Sequence, residues 1–190
     1  MLDNMDSITT IVSIVVCFTI LALMLIGGET DSVGMTIVVG LLAALLGFLY
    51  FNWNPAKMYM GDTGSQYLGV LLAALSITYL WNPITTEEFS VSRQFLIPLL
   101  TFIVPIVDTT VVTIKRMSKG NSPFVGGKDH TTHHLSYIGF SEKQVAAIVA
   151  LISLVSSAIA IYIITSIKVW SHLYTVIFFS YFLIVFGILF

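Results

Sequence analysis

Charge is what this chain has least of: only 9% of its 190 residues are charged, against roughly 25% in an average soluble domain. That scarcity excludes an ordinary soluble fold. The single cysteine, Cys17, lies inside an apolar run, which leaves neither a disulfide framework nor a thiolate metal site. A net charge of −2 provides no basic surface for nucleic acid, so no nucleic-acid partner is expected. The segments of alternating polarity that build a membrane β-barrel are missing as well, because the runs here are apolar all round. No internal repeat interrupts the pattern. Asp3 and Asp6, rather than a basic stretch, precede the first apolar run, which therefore reads as a retained span and not as a secretory signal.

What is abundant is apolar surface, at 57% of residues. Six runs can be drawn, at 8–26, 33–51, 65–80, 95–114, 144–167 and 169–190. Most approach the roughly 20 residues that an α-helix needs to cross the hydrocarbon layer, and 65–80 is the short one. The expectation is an all-α polytopic integral membrane protein with about six transmembrane helices, residues 1–190 forming a single transmembrane domain. Six spans put both termini on one side. The N-terminus and the loops 52–64 and 115–143 then share a face carrying Lys57, Lys115, Arg116, Lys119, Lys128 and Lys143, while the other loops hold only Arg93 and Lys168. The positive-inside rule makes the first set cytoplasmic. Asp3, Asp6, Lys57, Asp62, Asp129 and three of the four histidines gather on that side.

Four places carry the chemistry. Asp108, in "IVPIVDTTVVTIKR", is the only charged residue inside any of the six runs, seven positions before Lys115. A carboxylate at that depth costs about 2–3 kcal/mol on insertion scales, so it must face a polar cavity, a partner or a cation, or else bond to Thr109, Thr110 or a neighbouring helix. Pro105, three residues earlier, withholds a backbone donor and should loosen the helix. In "LDNMDS", Asp3 and Asp6 share a helical face if the helix starts early. They either bind Mg²⁺ or a hydroxylated substrate, or simply complement the macrodipole. In "PAKMYMGDTGSQYLG", Asp62 and Thr63 either cap a helix starting near Ser65, or Asp62 offers oxygen to Mg²⁺ while Lys57 offers a cation to phosphate. In "SPFVGGKDHTTHHL", Lys128, His130, His133 and His134 fit donors to pyrophosphate oxygens better than a zinc site, which lacks its cysteines.

These stretches resemble one family, the polyprenyl-phosphate N-acetylhexosamine-1-phosphate transferases of glycosyltransferase family 4. "FNWNPAKMYMGDTGSQYLG" is similar to its Pro-Ala-Lys and Met-Gly-Asp-Thr-Gly-Ser motif. "PIVDTTVVTIKRMSKGNSPFVGGKDHTTHHL" resembles its next helix and histidine loop, and "LDNMDS" its acidic motif. The resemblance implies transfer of N-acetylhexosamine 1-phosphate from a UDP-amino sugar to a polyprenyl phosphate in the bacterial inner membrane. The products would be a polyprenyl-pyrophosphate-sugar that initiates a cell-envelope polysaccharide, and UMP. It implies Mg²⁺ as cofactor, with Asp62 as its ligand, Asp3 and Asp6 lining the catalytic cleft, and Lys128, His130, His133 and His134 holding the nucleotide pyrophosphate. Lys57 and Asp108 join the set from their matched positions and, for Asp108, its burial.

Three departures qualify the likeness. Asn4 and Ser7 stand where the acidic motif carries glycines, and the histidines read His-x-x-His-His where many relatives have His-x-His-His. The chain further resembles only the C-terminal half of enzymes with about ten or eleven spans, and the Asp-Asp pair of their other half is absent from it. The alternative expectation is therefore a catalytically incomplete fragment, or a nucleotide- or partner-binding subunit, that needs a separate N-terminal half; the protein partners expected are that missing half or a second copy in a homodimer. A proton- or ion-coupled transporter using Asp108 would leave the Gly-Asp-Thr-Gly segment and the histidine loop unexplained.

Overall fold

The computed structural model describes residues 4–28, 31–81, 90–122 and 129–190. Among them, eight α-helices follow one another: α1 (Ile8–Gly27), α2 (Ser32–Asn52), α3 (Gly61–Ser76), α4 (Val91–Thr101), α5 (Ile103–Ser118), α6 (Thr131–Tyr137), α7 (Glu142–Ser166) and α8 (His172–Leu189). A π-helical turn, Ile77–Trp81, extends α3. No strand occurs among the described residues, and the all-α polytopic architecture is as expected.

The count of spans differs from six in an instructive way. Helices α1, α2, α7 and α8 are each long and apolar enough to cross a membrane; α4 and α5 make a fifth only if taken together, because they are bent by 83°. The break falls at Phe102, between Pro98 inside α4 and Pro105 in the first turn of α5. Pro105 has no N–H to donate to the carbonyl of Thr101, so the helix cannot propagate through this point, whereas proline is well tolerated in the first turn of a new helix. The short run 65–80 is also shifted. Helix α3 begins at Gly61, whose φ of +69° makes the turn, and ends after 16 residues in the π-helical turn. Asp62 and Thr63 thus lie inside the first turn, and the cap position falls to Met60, which makes no side-chain cap bond.

Helix α1 is the centre of the bundle: 61% of its span is buried, against 17% for α2 and 11% for α8, whose apolar surfaces face outward. It packs on α2, α3 and α7 through Val12, Val16, Cys17 and Ile20. The end of the bundle that carries the α1–α2 turn is closed by two polar clamps. Arg93, expected in a loop, is instead buried in α4, where its guanidinium donates to the carbonyls of Ile163 (2.9 Å) and Ile164 (3.3 Å) and sits 5.9 Å from the Trp170 ring. A cation there satisfies carbonyls that the end of α7 leaves without helical partners. Asp31 caps α2 and also accepts the Tyr79 hydroxyl of the π-helical turn.

Gly34 makes that second clamp possible, since a Cβ there would overlap the Tyr79 hydroxyl. Gly34→Ala should destabilise the bundle by about 1–3 kcal/mol, read as a lower midpoint of thermal unfolding in detergent. Tyr79→Phe in the Gly34→Ala background should recover part of the loss; an unchanged midpoint for Gly34→Ala would refute the close packing.

Candidate active site

At the opposite end, four stretches distant in sequence are tied together. Asn52, buried at the end of α2, accepts the Ser7 N–H (3.1 Å) and the Thr10 hydroxyl (2.8 Å), and its amide donates to the Met58 carbonyl (2.9 Å). One side chain thereby fixes the acidic segment, the start of α1 and the loop 53–60. Asp6 reinforces the same junction. Its Oδ2 accepts the Ala56 N–H at 2.9 Å and the Asn54 amide at 3.1 Å, and that amide also donates to the Glu142 carboxylate at the start of α7. A cavity of about 140 Å³ lies here, lined by Asn4, Met5, Asp6, Asn52 and Tyr59.

The histidine segment is anchored from below. Asp108 is 1% exposed. Its Oδ2 lies 2.8 Å from His130 Nδ1, and its Oδ1 accepts both the Thr131 N–H and the Thr131 hydroxyl at 2.8 Å. The partners are not Thr109 or Thr110 but residues beyond the end of its own helix. Thr132, also buried, then donates to Asn4 Oδ1 at 3.0 Å, joining the histidine segment to the acidic one. Beside it, Arg116 pairs with Asp129 at 3.2 Å and Lys119 approaches the same carboxylate at 3.8 Å. The Arg116 hydrogen bond holds the Asp129 carboxyl below its ordinary range, while burial followed by the charge of Lys115 lowers the His134 imidazole.

Of the residues expected in the site, Asp6, Asp108 and His130 thus belong to one connected polar cluster, and His133 lies with its ring centre 6.2 Å from that of His130. His134 packs edge-on to Tyr137. Lys57 and Asp62 are exposed, on the neighbouring loop and the first turn of α3 respectively. Asp3 and Lys128 lie outside the described residues. Among the described residues no three His, Cys, Asp or Glu side chains converge as a metal cage. Sequence reasoning missed Asn52, Asn54, Thr131, Thr132 and Glu142; the available signal was a pair of asparagines closing an apolar run in "FNWNPA".

A second cavity, about 370 Å³, opens between α1, α3 and the α4–α5 break, with Thr9, Ser13, Ser65 and Gln66 at its polar wall. It shares Gly69, Phe102, Pro105 and Thr109 with a more apolar cavity of about 650 Å³ that reaches Trp81, Phe95 and Pro98.

The sequence that forms this bundle is similar to those of known proteins. Residues 1–80 match the family model described as Glycosyl transferase family 4. The chain is 32% identical, over 93% of its length and 47% of the relative's, to the probable undecaprenyl-phosphate N-acetylglucosaminyl 1-phosphate transferase of Bacillus subtilis (strain 168). Identity is 36% over 60% of this chain and 30% of the decaprenyl-phosphate N-acetylglucosaminephosphotransferase of Mycobacterium leprae (strain TN). It is 35% over 85% of this chain and 46% of the phospho-N-acetylmuramoyl-pentapeptide-transferase of Staphylococcus aureus (strain Newman). The chain spans about half the length, or less, of these curated relatives.

The Arg116–Asp129 pair has a defined pH window. A carboxyl whose folded pKa is depressed stabilises the fold above its unfolded value and loses that contribution as pH falls through the folded one. Asp129 should therefore titrate below its ordinary 3.8, seen as the midpoint of its carboxyl ¹³C signal. Arg116→Gln should move that midpoint back toward 3.8; a midpoint already at or above that value in the unsubstituted chain would refute the pairing.

Proposed function

We propose that this chain supplies the nucleotide-facing part of a bacterial membrane transferase that moves N-acetylhexosamine 1-phosphate from a UDP-sugar to a polyprenyl phosphate. In that reaction an oxygen of the lipid phosphate bonds to the β-phosphorus, the bond from that phosphorus to the bridging oxygen breaks, and UMP leaves with that oxygen. The observation that carries the reading is the junction of the acidic segment, the 52–62 loop and the histidine segment at one end of the bundle. Phosphoryl transfer asks a protein mainly for positioning and for charge neutralisation, and these segments supply both kinds of group.

Asp62 and Lys57 are exposed beside the Asp6 junction, where a charged ligand from the aqueous side can reach them. Mg²⁺ is commonly held by one or two carboxylates together with substrate phosphates and water, so the lack of a three-ligand cage among the described residues does not conflict with it. Asp62 would be its protein ligand. When bound, the ion would neutralise charge on the phosphate oxygens. His130, His133, His134 and Lys128 would take the pyrophosphate. The exposed Tyr59 ring, at the mouth of the small cavity, offers a face on which a nucleobase can stack. The groove from Ser65 to Trp81 suits the lipid, polar at the end nearer Asp62 and apolar along its length.

A second reading has its own support: relatives are about twice as long and the chain contains no Asp-Asp pair, so the activity would require segments this chain lacks. Membranes containing the chain, alone and together with the N-terminal half of a longer relative, should be incubated with labelled UDP-N-acetylglucosamine, polyprenyl phosphate and Mg²⁺. Lipid-linked label that falls by about 100-fold or more in Asp62→Ala supports the transferase. Label formed only with the added half supports the second reading, and no label in either arrangement sinks both.

A further inference from the structure

We infer that Asp108 is a positioning residue for His130: it selects the ring form with a proton on Nδ1 and leaves Nε2 as the nitrogen that meets the ligand. Only the identity of that ligand, a nucleotide pyrophosphate, rests on the function proposed above. Three observations carry the assignment. Asp108 is 1% exposed and sits inside α5, so it does not itself meet a phosphate entering from the aqueous end. Its oxygens are divided, Oδ2 facing His130 Nδ1 at 2.8 Å and Oδ1 taking the Thr131 N–H and hydroxyl at 2.8 Å each. And His130 is buried, so its ring orientation is set by this partner and not by water.

A carboxylate only accepts hydrogen bonds, so a ring nitrogen 2.8 Å from it must carry the proton. The form of an imidazole is set by the bond its second nitrogen makes, as the outer partners of metal-bound histidines illustrate. Nδ1 is therefore committed in either charge state of the ring. Nε2 is left for the ligand and donates to a phosphate oxygen once it carries its own proton. The two bonds from Thr131 keep the carboxylate from rotating, and Thr132, hydrogen-bonded to Asn4, holds the backbone that carries the histidine. Asp108 thus acts through His130, and its own atoms stay out of the reaction.

The test is ¹⁵N NMR of ring-labelled histidines in the purified full chain at alkaline pH, with the His130 signals assigned by their loss in His130→Gln. The unsubstituted protein should show a hydrogen-bonded Nδ1–H and a bare Nε2, and Asp108→Leu should lose that Nδ1–H signal. A proton on Nε2 in the unsubstituted protein would overturn the inference, and that measurement stands even if Asp108→Leu does not fold. So would an unchanged His130 spectrum in folded Asp108→Leu. Titration with UDP-N-acetylglucosamine then tests the consequence. Asp108→Leu and His130→Gln should each weaken binding by about 10–100-fold, and the double variant should be no weaker than His130→Gln, whereas additive losses would contradict action through the histidine. An Nδ1–H signal with no nucleotide binding in any variant would leave the orientation standing and count against the nucleotide reading instead.

Discussion

The polar end of this bundle depends on a carboxylate that the bilayer will not tolerate alone. Asp108 sits in α5, and leaving it unpartnered would cost several times the net value of an ordinary hydrogen bond. On its own helix, Thr110 and Thr113 turn their hydroxyls back to the carbonyls of Ile106 and Thr109. The partners are found 22 and 23 residues later, at His130 and Thr131, so the chain must fold back over the helix it has just left. That return puts Thr132 against Asn4 and so brings the acidic segment and the histidine segment together. A local electrostatic demand thereby becomes a long-range topological one.

The other end obeys the same rule with a different result. There, Arg93 is spent on the last carbonyls of α7 and on Trp170, and Asp31 on the cap of α2 and on Tyr79. These charges close helix ends. At the polar cluster, by contrast, Asn52, Asp6 and Asp108 absorb the structural demand, and Asp62 and Lys57 stay exposed. The buried charges that hold this end, with exposed charges beside them that can meet a ligand, make it the candidate for chemistry.

Much of this was legible in advance because it follows from one-dimensional patterns. The apolar runs locate α1, α2, α7 and α8 to within three residues at either end, and the depth of Asp108 alone demands a partner. Other features hide because their cause lies elsewhere in the chain. Hydropathy cannot distinguish a straight span from one broken at Phe102, and prolines are compatible with both until the packing is known. Arg93 reads as a loop residue because its charge is visible while the α7 carbonyls that satisfy it, 70 and 71 positions away, are not. Asn52 and Thr132 are ordinary polar residues until their partners, 45 and 128 positions distant, are brought beside them. The motif resemblance singled out Asp62 and the histidines as candidates, but not the framework that holds their neighbours.

The break in α4–α5 is where fold and function meet most directly. A continuous helix through 91–118 would need an unbroken run of i to i−4 backbone bonds across Phe102. Pro105 prevents it by denying Thr101 a donor, and the resulting 83° turn carries α5 away from the line of α4. Gly69 faces the gap from α3, where a Cβ would meet nothing within 4 Å, so the space is genuinely open on that side. The two cavities that share Gly69, Phe102, Pro105 and Thr109 then run from hydroxyl- and amide-bearing side chains to the aromatic rings of Phe95 and Trp81. The same α5 that the break redirects ends at the Arg116–Asp129 pair and carries Asp108 beneath His130. One backbone constraint therefore sets two things together: a groove open along the apolar part of the bundle, and the placement of the polar cluster at its end.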